Sequence, residues 1–276
     1  MQVYRGLDLG TAKPGAERAK VPHHLLDLVG PDEGFDVQRW LEAAREAVAG
    51  VRARGRLPIF CGGTGLYFRA WIEGLDALPA ADPDLRRELE ARPLAELLAE
   101  LHAGDPATWA RIDRCNPRRV VRAVEILRGA GPRGAGGVDD GSASGGTSAK
   151  GPGWGEPIFV LRRSPEELRR RMDARVDIMF AEGLVEETRR LLEAGLGRNP
   201  VAMQAIGYRQ VVEHLRGERD LASTMSLIKT RTWQYGRRQM TWFRHRPGVV
   251  WVDLEEGEAP ARTAERILAH PAWVGR

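Results

Sequence analysis

Residues 62–65 read Gly-Gly-Thr-Gly, directly after the apolar run Leu57-Pro58-Ile59-Phe60-Cys61. Glycines that close a strand let backbone N–H groups approach an anion, and the N-terminus of a following helix adds partial positive charge. The Thr64 hydroxyl could donate to a phosphate oxygen in such a turn, or it could simply cap the helix. Gly10-Thr11, with Lys13 and Pro14 close behind, could likewise contact a phosphate or a substrate backbone, or be a solvent-exposed turn. Tyr4 and Arg5 could stack on and pair with a nucleic acid, or sit on a surface.

Arginine concentrates in two stretches, NPRRVVRAVEILR at 116–128 and RTWQYGRRQMTWFRHRP at 231–247. In the second, helical spacing puts Arg231, Tyr235, Arg238 and Trp242 on one stripe and Trp233, Arg237, Met240 and Arg244 on another. Cations among aromatic rings suit an unpaired nucleic-acid strand, since bases stack for about 1–3 kcal/mol each and arginine neutralises phosphate. The same pattern suits a helix that buries its tryptophans and solvates its arginines. Arg171 and Arg175 fall at i, i+4 and could clamp a diphosphate, or pair with Glu167 and Asp173. His23 and His24 on an extended segment point to opposite faces and read as structural rather than as a chelate. No G-x-x-x-x-G-K-[ST] phosphate loop occurs in the sequence, which argues against a kinase or ATPase working through this chain alone.

The elements that must carry these residues follow from pattern. The apolar run Leu57–Cys61 reads as a short buried strand, and the turn leads into a helix reaching about Ala70. Upstream, Val37, Trp40, Leu41, Ala44, Val48 and Val51 recur at three and four, giving an amphipathic helix over Asp36–Arg54. Helix, buried strand, glycine turn and helix make an open parallel α/β sheet the expected core. From Asp82 to Arg128 the chain reads as mostly helical, with Asp82 and Asn116 as caps, each followed by proline. Residues 129–155 are dominated by glycine, serine and alanine and read as a flexible loop. A strand then ends near Arg162, a helical run capped by Ser164 extends to about Gly195, two further helices follow, and Gly248–Leu254 is a last strand. The expected organisation is core α/β over 1–82, a helical insert over 83–130, the loop over 131–156, and the rest of the core with C-terminal helices over 157–276.

At 276 residues the chain can bury a substantial core, and its formal net charge of +4 is modest. No apolar run approaches the roughly 18 residues of a membrane span. Cys61 and Cys115 form neither a metal-ligand spacing nor a disulfide framework, and no leader pattern opens the sequence, so a cytoplasmic protein is expected.

Together, MQVYRGLDLGTAKP, VPHHLLDLV, GGTGLYFRAWIEGL, ADPDLRRELE, NPRRVVRAVEIL, AIGYRQ and RRQMTWFRHR resemble the tRNA dimethylallyltransferase (tRNA isopentenyltransferase) family, in the family's order and over nearly all of the chain outside 129–155. The resemblance implies a P-loop-NTPase-like parallel sheet with a mostly helical inserted domain. It implies transfer of a dimethylallyl group from dimethylallyl diphosphate to the exocyclic amine of adenosine 37, in the anticodon stem-loop of tRNA. Mg2+ would help neutralise the leaving diphosphate, and a monomer is expected. In the family, a βα unit with a P-loop and a base aspartate precedes the segment matched by Met1. The chain is therefore expected to lack that first βα unit, and a catalytically inactive tRNA-binding protein is the alternative reading. By position, Thr64 falls at the reacting centre, and Met1 and Gln2 near the target nucleotide. Arg86, then Arg118, Arg119 and Arg122, then Gln204, Gly207, Tyr208 and Arg209, and finally Arg237, Arg238, Gln239, Trp242 and Arg244, fall in tRNA-contacting segments. Gly62, Gly63 and Arg175 are expected at the diphosphate, and no residue is assigned to a metal. Gly65 stands where many members carry methionine or leucine.

Overall fold

Two β-strands, β1 (Ile158–Arg162) and β2 (Val249–Asp253), pair in parallel from Ile158 opposite Val249 to Arg162 opposite Asp253. The side chains of that last pair form an ion pair, Arg162 Nη2 donating to Asp253 Oδ2 at 2.7 Å. The computed structural model describes residues 1–75, 82–130 and 157–274. Helices make up most of the rest: α1 (Glu17–Lys20), α2 (Val37–Ala53), α3 (Gly65–Glu73), α4 (Pro83–Glu90), α5 (Leu94–Gly104), α6 (Pro106–Arg111) and α7 (Pro117–Ala130). After β1 come α8 (Pro165–Ala181), α9 (Leu184–Glu193), α10 (Tyr208–Leu215) and α11 (Leu221–Arg244), and after β2 come α12 (Pro260–Leu268) and α13 (Pro271–Val274). The fold is α/β, mostly helical with a small parallel sheet. The glycine- and serine-rich stretch expected to be a flexible loop falls at 131–156, outside the described residues.

The chain divides into two compact units, Met1–Trp71 with Trp154–Arg276, and Ile72–Gly153. In the first, a parallel bridge joins Tyr4 to Val29, and Val3, Tyr4, Leu7 and Val29 are buried around it. The Asp36 carboxylate caps α2 by accepting from Arg39 N at 2.9 Å, and Trp40, Leu41, Ala44 and Val48 are buried at helical spacing. Ser164 caps α8 in the same way. The single helical run expected from Ser164 to Gly195 is broken, because Gly183 has φ +99°, a left-handed conformation that ends α8 and lets α9 start in a new direction. α8 packs on α11, where Gly236 gives the room: a Cβ there would lie 2.4 Å from Met172 Cε.

The strand expected at Leu57–Cys61 does not form. A strand exists only through a ladder partner, and among the described residues none runs beside this segment. Leu57 and Ile59 are instead 66% and 76% exposed.

In the second unit, α4 and α5 pack on α7 around Leu89, Leu97, Leu101, Ile112, Val120 and Val124. Ion pairs lace its surface: Arg128 Nε to Glu100 at 2.7 Å, Arg92 to Glu100 at 2.6 Å and Arg128 to Glu88 at 3.0 Å. The Arg128 hydrogen bond, joined by Arg92 and opposed by partial burial, holds the Glu100 carboxyl at about 2. A depressed folded-state pKa stabilises above the unfolded value, near 4.5, and that contribution is lost as pH falls toward about 2. Glu100→Gln is therefore expected to be less stable than wild type in urea at neutral pH and equal to it near pH 2. A gap of constant size across that range would remove Glu100 as its source.

Candidate active site

Thr64 stands immediately before α3, and its carbonyl accepts from Tyr67 N at 3.0 Å. Opposite it runs α11, on which Tyr235, Gln239 and Trp242 share one face by their i, i+4, i+7 spacing. That face receives the Gly-Gly-Thr-Gly turn residue by residue. Thr64 Oγ1 lies 3.4 Å from the Tyr235 hydroxyl. A Cβ on Gly63 would lie 2.3 Å from Gln239 Nε2, and one on Gly65 2.5 Å from the Trp242 ring. Glycine at 65 thus leaves room for the Trp242 ring, while at 63 the contact is with the movable end of the Gln239 side chain. Gly62, by contrast, is open, with nothing within 4 Å of a Cβ.

Aromatic contacts extend this seat. Phe68 meets Phe243 edge-on with centroids 5.7 Å apart, joining α3 to α11. The Arg246 guanidinium sits 4.4 Å from the Trp242 ring centroid, and Arg238 lies 5.8 Å from that of Tyr235. Tyr67 stacks on Trp40 at 4.5 Å, and burial pushes its phenol up to about 12, so it stays protonated.

A second cluster fixes the Leu9–Thr11 turn. The buried Glu187 carboxylate accepts from Asp8 N and Leu9 N, each at 3.2 Å, and from the Tyr208 hydroxyl at 2.5 Å. Tyr208 is fully buried, and its hydroxyl accepts from Gly10 N at 3.0 Å. Burial, together with donation to Glu187, raises the Tyr208 phenol far above its ordinary pKa. Gln2 Nε2 donates to the carbonyls of Thr11 and Ala12, both at 3.0 Å, and Arg175 Nη2 donates to Leu9 O at 3.3 Å.

The sequence pattern of the IPP transferase family matches residues 2–246 of this chain. The chain belongs to that family. A tRNA dimethylallyltransferase from Anaeromyxobacter dehalogenans is 44% identical over 271 residues, covering 96% of this chain and 88% of the relative. The crystal structure of the full-length tRNA isopentenylpyrophosphate transferase from Bacillus halodurans superposes with a TM-score of 0.67 at 34% identity, covering 96% of this chain and 82% of that one. A eukaryotic dimethylallyltransferase acting on tRNA shares the fold with a TM-score of 0.75 at 23% identity, covering 98% of this chain and 69% of that one.

Within the IPP transferase fold, the residues singled out from sequence are placed unevenly. Thr64, Gly63, Gln239 and Trp242 come together at the turn on α11. Arg237, Arg238 and Arg244 are exposed on the same helix, with no carboxylate partner among the described residues. Gln204 and Arg209 are exposed, Arg209 pairing with Glu213 at 3.1 Å, whereas Gly207 and Tyr208 are buried and offer no surface. Met1 is 38% exposed, and the Gln2 amide is occupied inside the chain.

Three readings give way. Lys13 does not face a ligand: its side chain is only 4% exposed, and its ammonium bridges Asp8 at 2.8 Å and Asp27 at 2.5 Å. Tyr4 is neither a stacking platform nor a surface residue, at 1% exposure, while Arg5 donates to the carbonyls of Asp27 and Leu28. Arg171 and Arg175 form no clamp, because Arg171 Nε is taken by Glu167 at 2.8 Å while Arg175 reaches Leu9.

In the helical unit, Arg86 and Arg122 converge on Glu125, which is 3% exposed, at 2.6 and 2.8 Å. Burial alone would raise the pKa of Glu125, but the Arg122 and Arg86 hydrogen bonds override it and hold the carboxyl below its ordinary range. Arg118 and Arg119 are exposed in the first turn of α7, which holds no acidic residue. Cations there oppose the helix dipole, so this end of the helix is primed for an anion. Sequence reasoning missed Glu187, signalled by the carboxylate pair Glu186-Glu187 three residues after Gly183, and it placed Tyr235 on the aromatic-cation stripe without its contact to Thr64.

Proposed function

We propose that this chain transfers a dimethylallyl group from dimethylallyl diphosphate to the exocyclic amine of adenosine 37 in tRNA. The observation that carries the reading is the seating of the Thr64 turn on the α11 face that also presents Gln239 and Trp242. In the reaction the amine nitrogen bonds to C1 of the dimethylallyl group, the C1–O bond breaks with its electron pair leaving on diphosphate, and one amine proton is released. Negative charge develops on the leaving oxygen, so fixed donors aimed there speed the step. The Thr64 hydroxyl and the backbone N–H groups of Gly62 and Gly63 are those donors, and Arg175 adds positive charge. The target base leaves its stack to reach them.

Mg2+, when bound with the diphosphate, would help neutralise the charge of the leaving group. The described residues contain no group of three His, Cys, Asp or Glu that could hold a metal ion, so they supply no resident cage and no step is assigned to one. Among the described residues no helix is long and apolar enough to cross a membrane, and the protein acts as a monomer in the cytoplasm.

In the first unit the residues assigned to RNA are Arg237, Arg238 and Arg244 on α11 and Arg209 on α10; in the helical unit, taken by itself, they are Arg86, Arg118, Arg119 and Arg122. Replacing Arg118 and Arg119 together by glutamine is expected to weaken tRNA binding alike for every sequence and to flatten its log–log salt dependence by roughly 1.4–1.8. An unchanged slope would take these two out of contact with phosphate. The function itself is tested by incubating the purified protein with unmodified tRNA, dimethylallyl diphosphate and Mg2+, then digesting to nucleosides for mass analysis. Isopentenyladenosine at position 37 is expected. No product, or product at another position, refutes the reading.

A further inference from the structure

We propose that Tyr235 is a positioning residue that aims the Thr64 hydroxyl. The proposal rests on the transferase reading of Thr64. A threonine hydroxyl rotates to suit its surroundings, so in an exposed turn its proton has no fixed direction unless a neighbour sets one. Tyr235 is that neighbour, at 3.4 Å, and among the described residues its hydroxyl has no other hydrogen-bond partner. A phenol is the more acidic of the two groups, so Tyr235 donates to Thr64 Oγ1, and the threonine proton is left to point outward. The separation is longer than the 2.7–2.8 Å usual for such a bond. Hydrogen bonds at reacting centres are often long before substrate arrives and tighten when it does.

The turn packs against α11 on both sides of the pair. Gly63 is seated against Gln239 and Gly65 against Trp242, one and two helical turns from Tyr235. The Tyr235 ring lies under the Arg238 guanidinium, and the next residue, Gly236, is locked against Met172. The geometry thus brings both oxygens together while leaving Tyr235 38% exposed, so its hydroxyl can be removed without opening the core.

The test is a double-mutant cycle in the full chain, with kcat, the KM for dimethylallyl diphosphate and the tRNA Kd measured for each variant. Tyr235→Phe is expected to lower kcat about three- to tenfold and to leave KM and Kd near wild type. In a Thr64→Ala background the same change is expected to do nothing further. In a Thr64→Ser background, where a hydroxyl is retained, it is expected to cost the same factor as in wild type. Equal losses with and without the Thr64 hydroxyl would overturn the proposal, as would an unchanged kcat or an effect confined to tRNA affinity. A wild-type protein that makes no prenylated adenosine would bring down the transferase reading and this inference with it. An active wild type with an additive cycle would bring down the inference alone.

Discussion

Thr64→Ala is expected to lower kcat for prenyl transfer about 100- to 1000-fold, the usual cost of removing one donor from a developing oxyanion, while tRNA affinity stays near wild type. The split follows from what the side chain touches. Among the described residues its hydroxyl meets only Tyr235, while the helix-start hydrogen bonds from Tyr67 and Phe68 go to the Thr64 carbonyl, which alanine keeps. The turn should therefore remain seated on α11 and the arginines proposed to meet RNA undisturbed. Single-turnover rates and filter-binding affinities on one preparation would check both halves. A variant that loses tRNA affinity but keeps its single-turnover rate would show that Thr64 serves binding, and the assignment of its hydroxyl to the leaving diphosphate would fall.

The second large effect is on stability. Glu187→Ala is expected to cost roughly 3–5 kcal/mol, because it strands three buried or half-buried donors, at about 1–3 kcal/mol for each fully stranded one. Those donors are Asp8 N, Leu9 N and the Tyr208 hydroxyl. Tyr208→Phe removes one donor and strands Gly10 N, so about 1–2 kcal/mol is expected there. Urea unfolding at neutral pH would rank the pair, and a Glu187→Ala cost no larger than that of Tyr208→Phe would show that the turn finds water in place of the carboxylate. Gly10 is expected to be intolerant for a related reason: a Cβ would lie 2.4 Å from the fully buried Tyr208 ring.

Much of the local structure was legible because it is written in caps and periodicity. Asp82 and Ser164 cap the helices they were expected to cap, and the apolar spacing from Val37 to Val48 marks the buried face of α2. What pattern could not supply was partnership. Leu57–Cys61 has a strand's composition, but a strand is a relation between two segments. Arg171 and Arg175 share a helix face, yet Glu167, one turn back, captures the first, and Leu9, far away in sequence, captures the second. Tyr208 sits among residues expected to meet RNA, and its burial is set by Glu187 and Gly10, neither of which its own segment reveals. At the candidate site the aromatic-cation helix announced itself, but the register that sets Tyr235 against Thr64 depends on glycines 170 residues away and on the packing of two helices.

The parallel pairing of β1 with β2 imposes an order on synthesis. Arg162 and Asp253 are 91 residues apart, so β1 leaves the ribosome roughly 5–20 s before its partner exists, at ordinary elongation rates. Over that interval β1 carries an open edge, and α8 to α11 have time to fold and pack before the sheet closes. Closure is then a late event that certifies the helices between, and a chain whose synthesis stalls before residue 249 displays an unpaired strand for quality control to find.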